Sequence, residues 1–385
     1  MNIGNFPLKS FQDLDTPFYY YDIELLRKTL DVVSEEGIGR GYHIHYALKA
    51  NANERILREI SARGFGADCV SGNEILRAID NGFPASKIVF AGVGKTDKEI
   101  QIGLDNDIFC FNVESLPEME AINEIAKRNG KIAQIALRVN PNVDAKTHKY
   151  ITTGLEENKF GLNESDLPEA IRLLDMYNNL KLIGLHFHIG SQITDLSSFR
   201  DLCEKAASLK NWFFEKGIKF EILNVGGGLG IDYENPDENS IARFHEYFSL
   251  FQEYLKIENG LSLHFELGRS IVGQCGNLIS RTTYVKEGSS KKFMILDAGM
   301  TELMRPALYN AYHKIENLTS EEAPELYDVV GPICESSDTF GEDIMVNKTN
   351  RGDIIAIRSA GAYGETMASM YNCRELPTSF FSDTI

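Results

Sequence analysis

The sequence predicts an α/β fold, a (β/α)8 TIM-like barrel followed by a mostly antiparallel β domain, and three observations lead there. Eight short apolar runs alternate with helical patterns between Ile23 and Gly268. Glycine and polar residues gather just after the ends of those runs, where a barrel of this class places its chemistry. Beyond Gly268 the helical patterns cease, and β-rich runs follow one another across turns.

Taken in order, Thr16–Tyr21 is β-rich and is read as an N-terminal strand that joins the second domain. A helical pattern, Ile23–Val33, follows. The eight runs are Tyr42–Leu48, Ala67–Val70, Lys87–Ala91, Ile108–Val113, Ile132–Val139, Leu182–His188, Glu221–Val225 and Ser262–Glu266. Each sets Val, Ile, Phe or Cys on adjacent positions, as strands buried on both faces do. Helical spacing appears at Glu54–Ala62, Glu74–Asn81, Glu118–Arg128, Leu167–Met176, Ser198–Phe214 and Ile241–Lys256, and several of these close on glycine (Gly64, Gly82, Gly130). A doubly wound open sheet would use the same elements. In the second domain the β runs are Thr283–Val285, Phe293–Leu296, Tyr327–Val330 and Asp353–Ile357, with turns at Glu287-Gly288 and Arg351-Gly352-Asp353. The expected bounds are 1–21 for the strand, 22–268 for the barrel and 269–385 for the β domain.

Composition narrows the function. The chain has 385 residues and a formal charge of 39 − 56 = −17. Nucleic acid and anionic membranes reward Lys/Arg stripes, so neither is expected as a partner. The six cysteines are scattered, and Met1–Asp15 holds no apolar run of signal length. No stretch approaches the roughly 18 apolar residues that cross a bilayer. A cytoplasmic protein with reduced thiols is expected.

The candidate chemistry lies at the strand ends. Lys49 follows an apolar strand. It is either a partly desolvated amine, nucleophilic enough for Schiff-base chemistry, or a rim lysine paired with an acid. Asp68 and Ser71 follow the second strand. His186 and His188 share one strand face. A third ligand at metal spacing is missing, so His188 is read as a ring that stacks on a flat cofactor and His186 as structural; no metal is expected. Gly226-Gly227-Gly228 offers backbone N–H groups to a phosphate or forms only a tight turn. Ser191 and Arg269, at neighbouring strand ends, favour the phosphate. Glu266 suits a hydrogen bond from a ring nitrogen. In the second domain Arg305 suits a carboxylate and Glu335 a distant ammonium. Cys334 is either a buried small hydrophobe or a reactive proton carrier.

Together these motifs resemble the diaminopimelate decarboxylase family, of the alanine-racemase-like barrel class of pyridoxal-phosphate enzymes. The resemblance covers nearly the whole chain. It is carried by Tyr46-Ala-Leu-Lys49-Ala-Asn51, His188-Ile-Gly-Ser191, Gly226-Gly-Gly228, Glu266-Leu-Gly-Arg269, Arg305-Pro-Ala-Leu-Tyr309, Gly331-Pro-Ile-Cys334-Glu335-Ser336 and Gly361-Ala-Tyr363-Gly364. It implies decarboxylation of meso-2,6-diaminopimelate to L-lysine and carbon dioxide, the last step of lysine biosynthesis. The alternative is a decarboxylase of the same class acting on carboxynorspermidine or another basic amino acid.

The resemblance also implies roles. Lys49 would hold pyridoxal 5'-phosphate, with Asp68 nearby, His188 on the ring and Glu266 at the pyridine nitrogen. Ser191, Gly227, Gly228, Gly268, Arg269 and Tyr363 would hold the phosphate or lie beside it. Arg269, Arg305, Tyr309, Glu335 and Tyr363 would contact substrate. Catalysis would fall to Lys49, His188 and Cys334, the last as proton donor alongside the Lys49 alternative. Cys334 and Glu335 would reach the other subunit's site, which implies a homodimer. Two departures stand out: Leu267 replaces a common proline, and the chain stops soon after Tyr371-Asn372-Cys373-Arg374, so a final strand is expected to be missing. A polar, Lys/His-rich loop, Asn142–Lys159, is a candidate to close over the site.

Overall fold

The computed structural model describes residues 6–143, 159–257 and 260–385. Most of the expected closing loop, 144–158, lies outside them. The chain forms two compact units. One comprises 30–230 and 243–268; the other comprises the chain up to Thr29, with 231–242 and 269–385. Residues 22–29 and 231–242, read from the sequence as barrel, thus go with the β unit.

The first strand, β1 (Phe18–Tyr21), belongs to the β unit. The barrel strands follow as β2 (His43–Ala47), β3 (Gly66–Cys69), β4 (Ile88–Phe90), β5 (Cys110–Val113), β6 (Ala133–Arg138), β7 (Leu180–His186), β8 (Ile222–Asn224) and β9 (Ser262–Leu267). They pair in sequence order, all parallel, and β9 closes on β2. Closure rules out the doubly wound alternative. Every expected run is a strand, shifted at most by two residues. Val89, Cys110, Ala136, Ile183 and Ile222 form a buried cluster across adjacent strands.

Helix starts explain several polar residues between the strands. Asn53, Ser71, Thr96 and Ser115 each accept from a backbone N–H in the first turn of the helix they precede. Ser71 is therefore a cap for Gly72–Asp80. The predicted helix Ile241–Lys256 is shorter, Phe244–Tyr254.

In the β unit the strands are β10 (Gly276–Glu287), β11 (Lys292–Leu296), β12 (Ile315–Asn317), β13 (Pro324–Val330), β14 (Thr339–Asn347), β15 (Ile354–Ile357) and β16 (Thr378–Phe381). The order is β12-β15-β10-β11-β13-β14, with β1 on β10 and β16 on β1. All pairs are antiparallel except β1–β16 and β11–β13. The N-terminal strand joins this sheet as expected. A strand does follow Cys373: β16 pairs residue for residue with β1 from Phe18↔Thr378 to Tyr21↔Phe381. Phe11, Phe18, Tyr20, Ile279, Leu318, Ile354 and Ala356 make this unit's core.

Candidate active site

In the barrel unit the polar side chains that the strands turn inward meet near the strands' C-terminal ends. Lys49 sits in a short 3₁₀ turn, Leu48–Ala50, directly after β2. Its Nζ lies 3.8 Å from Asp68 Oδ2 on β3, and its side chain keeps 39% exposure while that of Asp68 has 1%. So the rim lysine is paired with an acid and still reachable; the two readings of Lys49 are compatible. Burial above all, then Glu266, raises the Asp68 carboxyl well above its ordinary range, against the pull of Lys49. Asp68 Oδ1 is buried with no hydrogen-bond partner, an acceptor or donor left over for something else.

Glu266, on β9, is 6% exposed. Its Oε1 accepts from Asn112 Nδ2 at 3.0 Å and from Asn224 Nδ2 at 2.7 Å. Its Oε2 is 2.9 Å from His186 Nε2. Burial alone would raise this carboxyl; His186 first, with Lys49 beyond it, outweighs that and holds the group below the ordinary carboxylate range. The site therefore contains a desolvated carboxylate whose partners favour its ionised form. Sequence reasoning had His186 as structural, and it serves by orienting Glu266. It missed Asn112 and Asn224. The available signal was a lone amide inside each of two apolar strands, which demands a partner.

His188, half-buried just beyond β7, accepts from the Gly227 N–H through Nδ1 at 3.3 Å. Burial first, then the Lys49 and Arg138 cations, hold it well below the usual histidine range, so the ring is neutral. The glycine run is dictated by backbone packing. A Cβ on Gly227 would lie 1.9 Å from the Glu266 carbonyl oxygen, and Gly228 has φ +109° with a would-be Cβ 2.7 Å from the Gly190 carbonyl. Two of its amides are already engaged, Gly226 N–H with Asn224 Oδ1 at 2.9 Å and Gly227 N–H with His188. Both readings of the run thus keep support: the turn is sterically forced, and a phosphate would draw on fewer of its amides than three. Ser191 is half-buried, and Gly268 packs so closely that a Cβ would meet that of Ala50 at 3.0 Å.

In the β unit Arg269 and Arg305 are both buried, and both donate to one phenol: Arg269 Nη1 to Tyr233 Oη at 2.6 Å, Arg305 Nη1 to the same atom at 3.0 Å. The Arg269 guanidinium also lies 4.9 Å from the Tyr363 ring centroid. Tyr363 has φ +57°, a conformation that a bulky residue adopts only when its surroundings impose it. Tyr309 is half-buried at the end of the short helix Arg305–Tyr309. Cys334 and Glu335 are exposed, which removes the reading of Cys334 as a buried hydrophobe. Glu335 accepts from Tyr371 Oη at 2.5 Å. The structure thus joins Arg269 with Arg305 and Tyr363, while Cys334 and Glu335 occupy a separate exposed loop. Tyr233 and His313, which complete the arginine cluster, were not singled out by the sequence.

The barrel residues fit pyridoxal phosphate on their own chemistry. An accessible amine stands beside a buried acid with an unsatisfied oxygen, a neutral imidazole lies close by, and an ionised carboxylate suits a protonated ring nitrogen.

Comparison with known proteins agrees. The family described as "Pyridoxal-dependent decarboxylase, pyridoxal binding domain" matches residues 26–273. A protein from Bacteroides thetaiotaomicron named diaminopimelate decarboxylase is 57% identical over 383 residues, covering 99% of both chains. One of the same name from Neisseria meningitidis is 43% identical over 360 residues, 93% of this chain and 87% of its own. The crystal structure of diaminopimelate decarboxylase from Helicobacter pylori complexed with L-lysine superposes with a TM-score of 0.91 at 41% identity, covering 97% of this chain and 93% of that one. The barrel, its ionised carboxylate and these full-length similarities converge, and the chain belongs to the diaminopimelate decarboxylase family of pyridoxal-phosphate enzymes.

Proposed function

We propose that this protein removes one α-carboxylate from meso-2,6-diaminopimelate, giving L-lysine and carbon dioxide, with pyridoxal phosphate held by Lys49. The observation that carries this reading is Glu266: a buried carboxylate kept ionised by an imidazole and two amides. The electron sink for breaking the Cα–carboxylate bond comes from bound pyridoxal phosphate. Glu266 keeps a proton on the ring nitrogen. His188 would help hold the cofactor, and Asp68 holds the Lys49 amine in place. Ser191, Gly227, Gly228, Gly268, Arg269 and Tyr363 bind or flank the phosphate. Arg305 and Arg269 receive the substrate's distal carboxylate, with Tyr309, Tyr363 and Glu335 as further contacts. Cys334 or Lys49 delivers a proton to Cα.

The buried Arg305, which forms no ion pair among the described residues, supports a substrate with a second carboxylate over ornithine- or arginine-like amino acids. The test is carbon dioxide release from meso-diaminopimelate, carboxynorspermidine, ornithine and arginine with added cofactor. The first should be turned over at least a hundredfold faster than the others. Lys49→Ala should abolish it, and release by that variant at the wild-type rate would sink the assignment of Lys49.

We further propose a homodimer in which Cys334 and Glu335 serve the partner's site. Their exposure supports this, as does the exposed apolar group Met370, Tyr371 and Leu376. Mixing Lys49→Ala with Cys334→Ala should restore activity that neither variant has alone. No described helix is long and apolar enough to cross a membrane; the cytoplasm is the proposed location.

A further inference from the structure

Arg305 is solvated by neutral acceptors. Its Nη1 donates to Tyr233 Oη at 3.0 Å and to His313 Nε2 at 2.8 Å. The proton on His313 can be assigned, because Nδ1 lies 2.9 Å from the Arg358 carbonyl oxygen. A carbonyl only accepts, so Nδ1 carries the proton and Nε2 is bare. Burial, reinforced by Arg305, pushes His313 down to about 3, and the ring stays neutral. A guanidinium buried without a carboxylate is costly. This arrangement keeps the charge uncancelled, open to an incoming anion.

Tyr233 joins the two arginines. Its hydroxyl oxygen accepts from Arg269 and from Arg305, and both guanidinium groups lie over its ring, at 6.0 and 5.3 Å from the centroid. The ring is itself pinned edge-on against His313 at 5.1 Å. The chain around it is held by Asp232, whose Oδ1 accepts from the Glu234 and Asn235 amides at 2.8 and 2.9 Å. A phenol oxygen has two lone pairs and one proton. Both lone pairs face arginine donors, so the one hydrogen bond left to make is donation of the O–H. Burial alone would raise the Tyr233 hydroxyl, but Arg269 and Arg305 pull it below its ordinary value, which makes it a stronger donor.

We propose that Tyr233 is a specificity-determining residue, donating its O–H to the distal carboxylate of the substrate while holding Arg269 and Arg305 side by side. The proposal rests on the reading that those arginines receive that carboxylate. His313 acts through Arg305, as a positioning residue. A substrate ending in an ammonium would face two cations and a hydroxyl with no acceptor, so the same group both selects and rejects.

The experiment compares Tyr233→Phe with wild type as the cofactor-loaded enzyme. The phenylalanine ring keeps the stacking and removes only the hydroxyl. KM for meso-diaminopimelate should rise about tenfold or more, the loss expected for one hydrogen bond to a charged group, with kcat within about threefold. Inhibition by L-lysine, which keeps the distal carboxylate once the reacting one has left as carbon dioxide, should weaken in parallel, while inhibition by 1,5-diaminopentane, which has no carboxylate, should stay unchanged. An unaltered KM overturns the proposal. So does a parallel weakening of 1,5-diaminopentane, which would mean general loosening. Arg305→Gln separates the proposal from the reading beneath it: an unchanged KM there removes the distal-carboxylate assignment itself, whereas a raised KM there with an unchanged Tyr233→Phe removes only Tyr233. Should Tyr233→Phe fail to fold, His313→Leu carries the test, with the same split between meso-diaminopimelate and 1,5-diaminopentane expected and its absence decisive against.

Discussion

The barrel handles buried charge in two different ways. At and beyond the C-terminal ends of β4, β5 and β6 the charges cancel in pairs. Arg138 Nη1 donates to Glu114 Oε1 at 2.7 Å, and Lys95 Nζ donates to Glu118 Oε1 at 2.6 Å. Their remaining capacity goes to backbone: Glu114 accepts from the Gly92 and Gly161 amides at 2.8 and 3.0 Å, and Lys95 donates to the Gly92 and Asn112 carbonyls at 2.9 and 2.8 Å. Glu266 is held instead by two amides and an imidazole. A pair that neutralises itself ties loops together and offers little to a ligand. A carboxylate solvated by amides keeps its field for whatever binds beside it.

The largest effect that separates the two is catalytic. Glu266→Gln should lower kcat by on the order of a hundredfold or more, the scale for removing one preorganised electrostatic group. Glu114→Gln should change kcat by less than about tenfold. It should instead destabilise the fold by about 3 kcal/mol, because Arg138 would be left buried without its partner. Steady-state rates and melting temperatures for the two variants provide the check. Equal catalytic losses would erase the distinction.

How much of this the sequence disclosed follows from the range over which each signal acts. All eight barrel strands were readable, since each is a short apolar run bounded by its own turns. Lys49, Asp68 and Glu266 were readable because a strand end is a local feature, and the family motifs around them did the rest. The partners were another matter. Asn112 reaches Glu266 from 154 residues away and Tyr233 reaches Arg305 from 72; no window along the chain contains both members. Tyr233 was hidden further by lying in 231–242, which reads as barrel and packs with the β unit. The strand β16 escaped for the same reason, its order coming from pairing with β1 at the other end of the chain. Cys334 shows the converse, a residue whose base-rate reading, buried, was overturned by its exposed loop.

A third treatment of buried polarity lies two residues before Glu266 on β9, where no charge is present at all. His264 Nδ1 is 2.8 Å from His45 Nε2, His45 Nδ1 is 3.0 Å from the Lys87 carbonyl, and His264 Nε2 is 3.0 Å from Ser262 Oγ. Neutral tautomers satisfy both histidines: His45 donates to the carbonyl, His264 donates to His45, and the Ser262 hydroxyl, also 3.1 Å from the Glu221 carbonyl, shares its one proton between that oxygen and His264 Nε2. Burial pushes His45 down to about 4 and His264 to about 2. An unfolded histidine takes up its proton near pH 6.5. Between these values the unfolded chain binds more protons than the folded one, so stability is lost as pH falls. Each of the two protons contributes somewhat under ~2 kcal/mol over the window from pH 6.5 to 5, about 3 kcal/mol together. That is comparable with the cost of leaving Arg138 unpaired, and it belongs to stability alone. The melting temperature should therefore decline from pH 6.5 to 5, before most carboxylates begin to titrate. A flat melting profile over that window would mean that the histidine pair is not held neutral, and the three-way contrast in how this barrel treats buried polar groups would reduce to two.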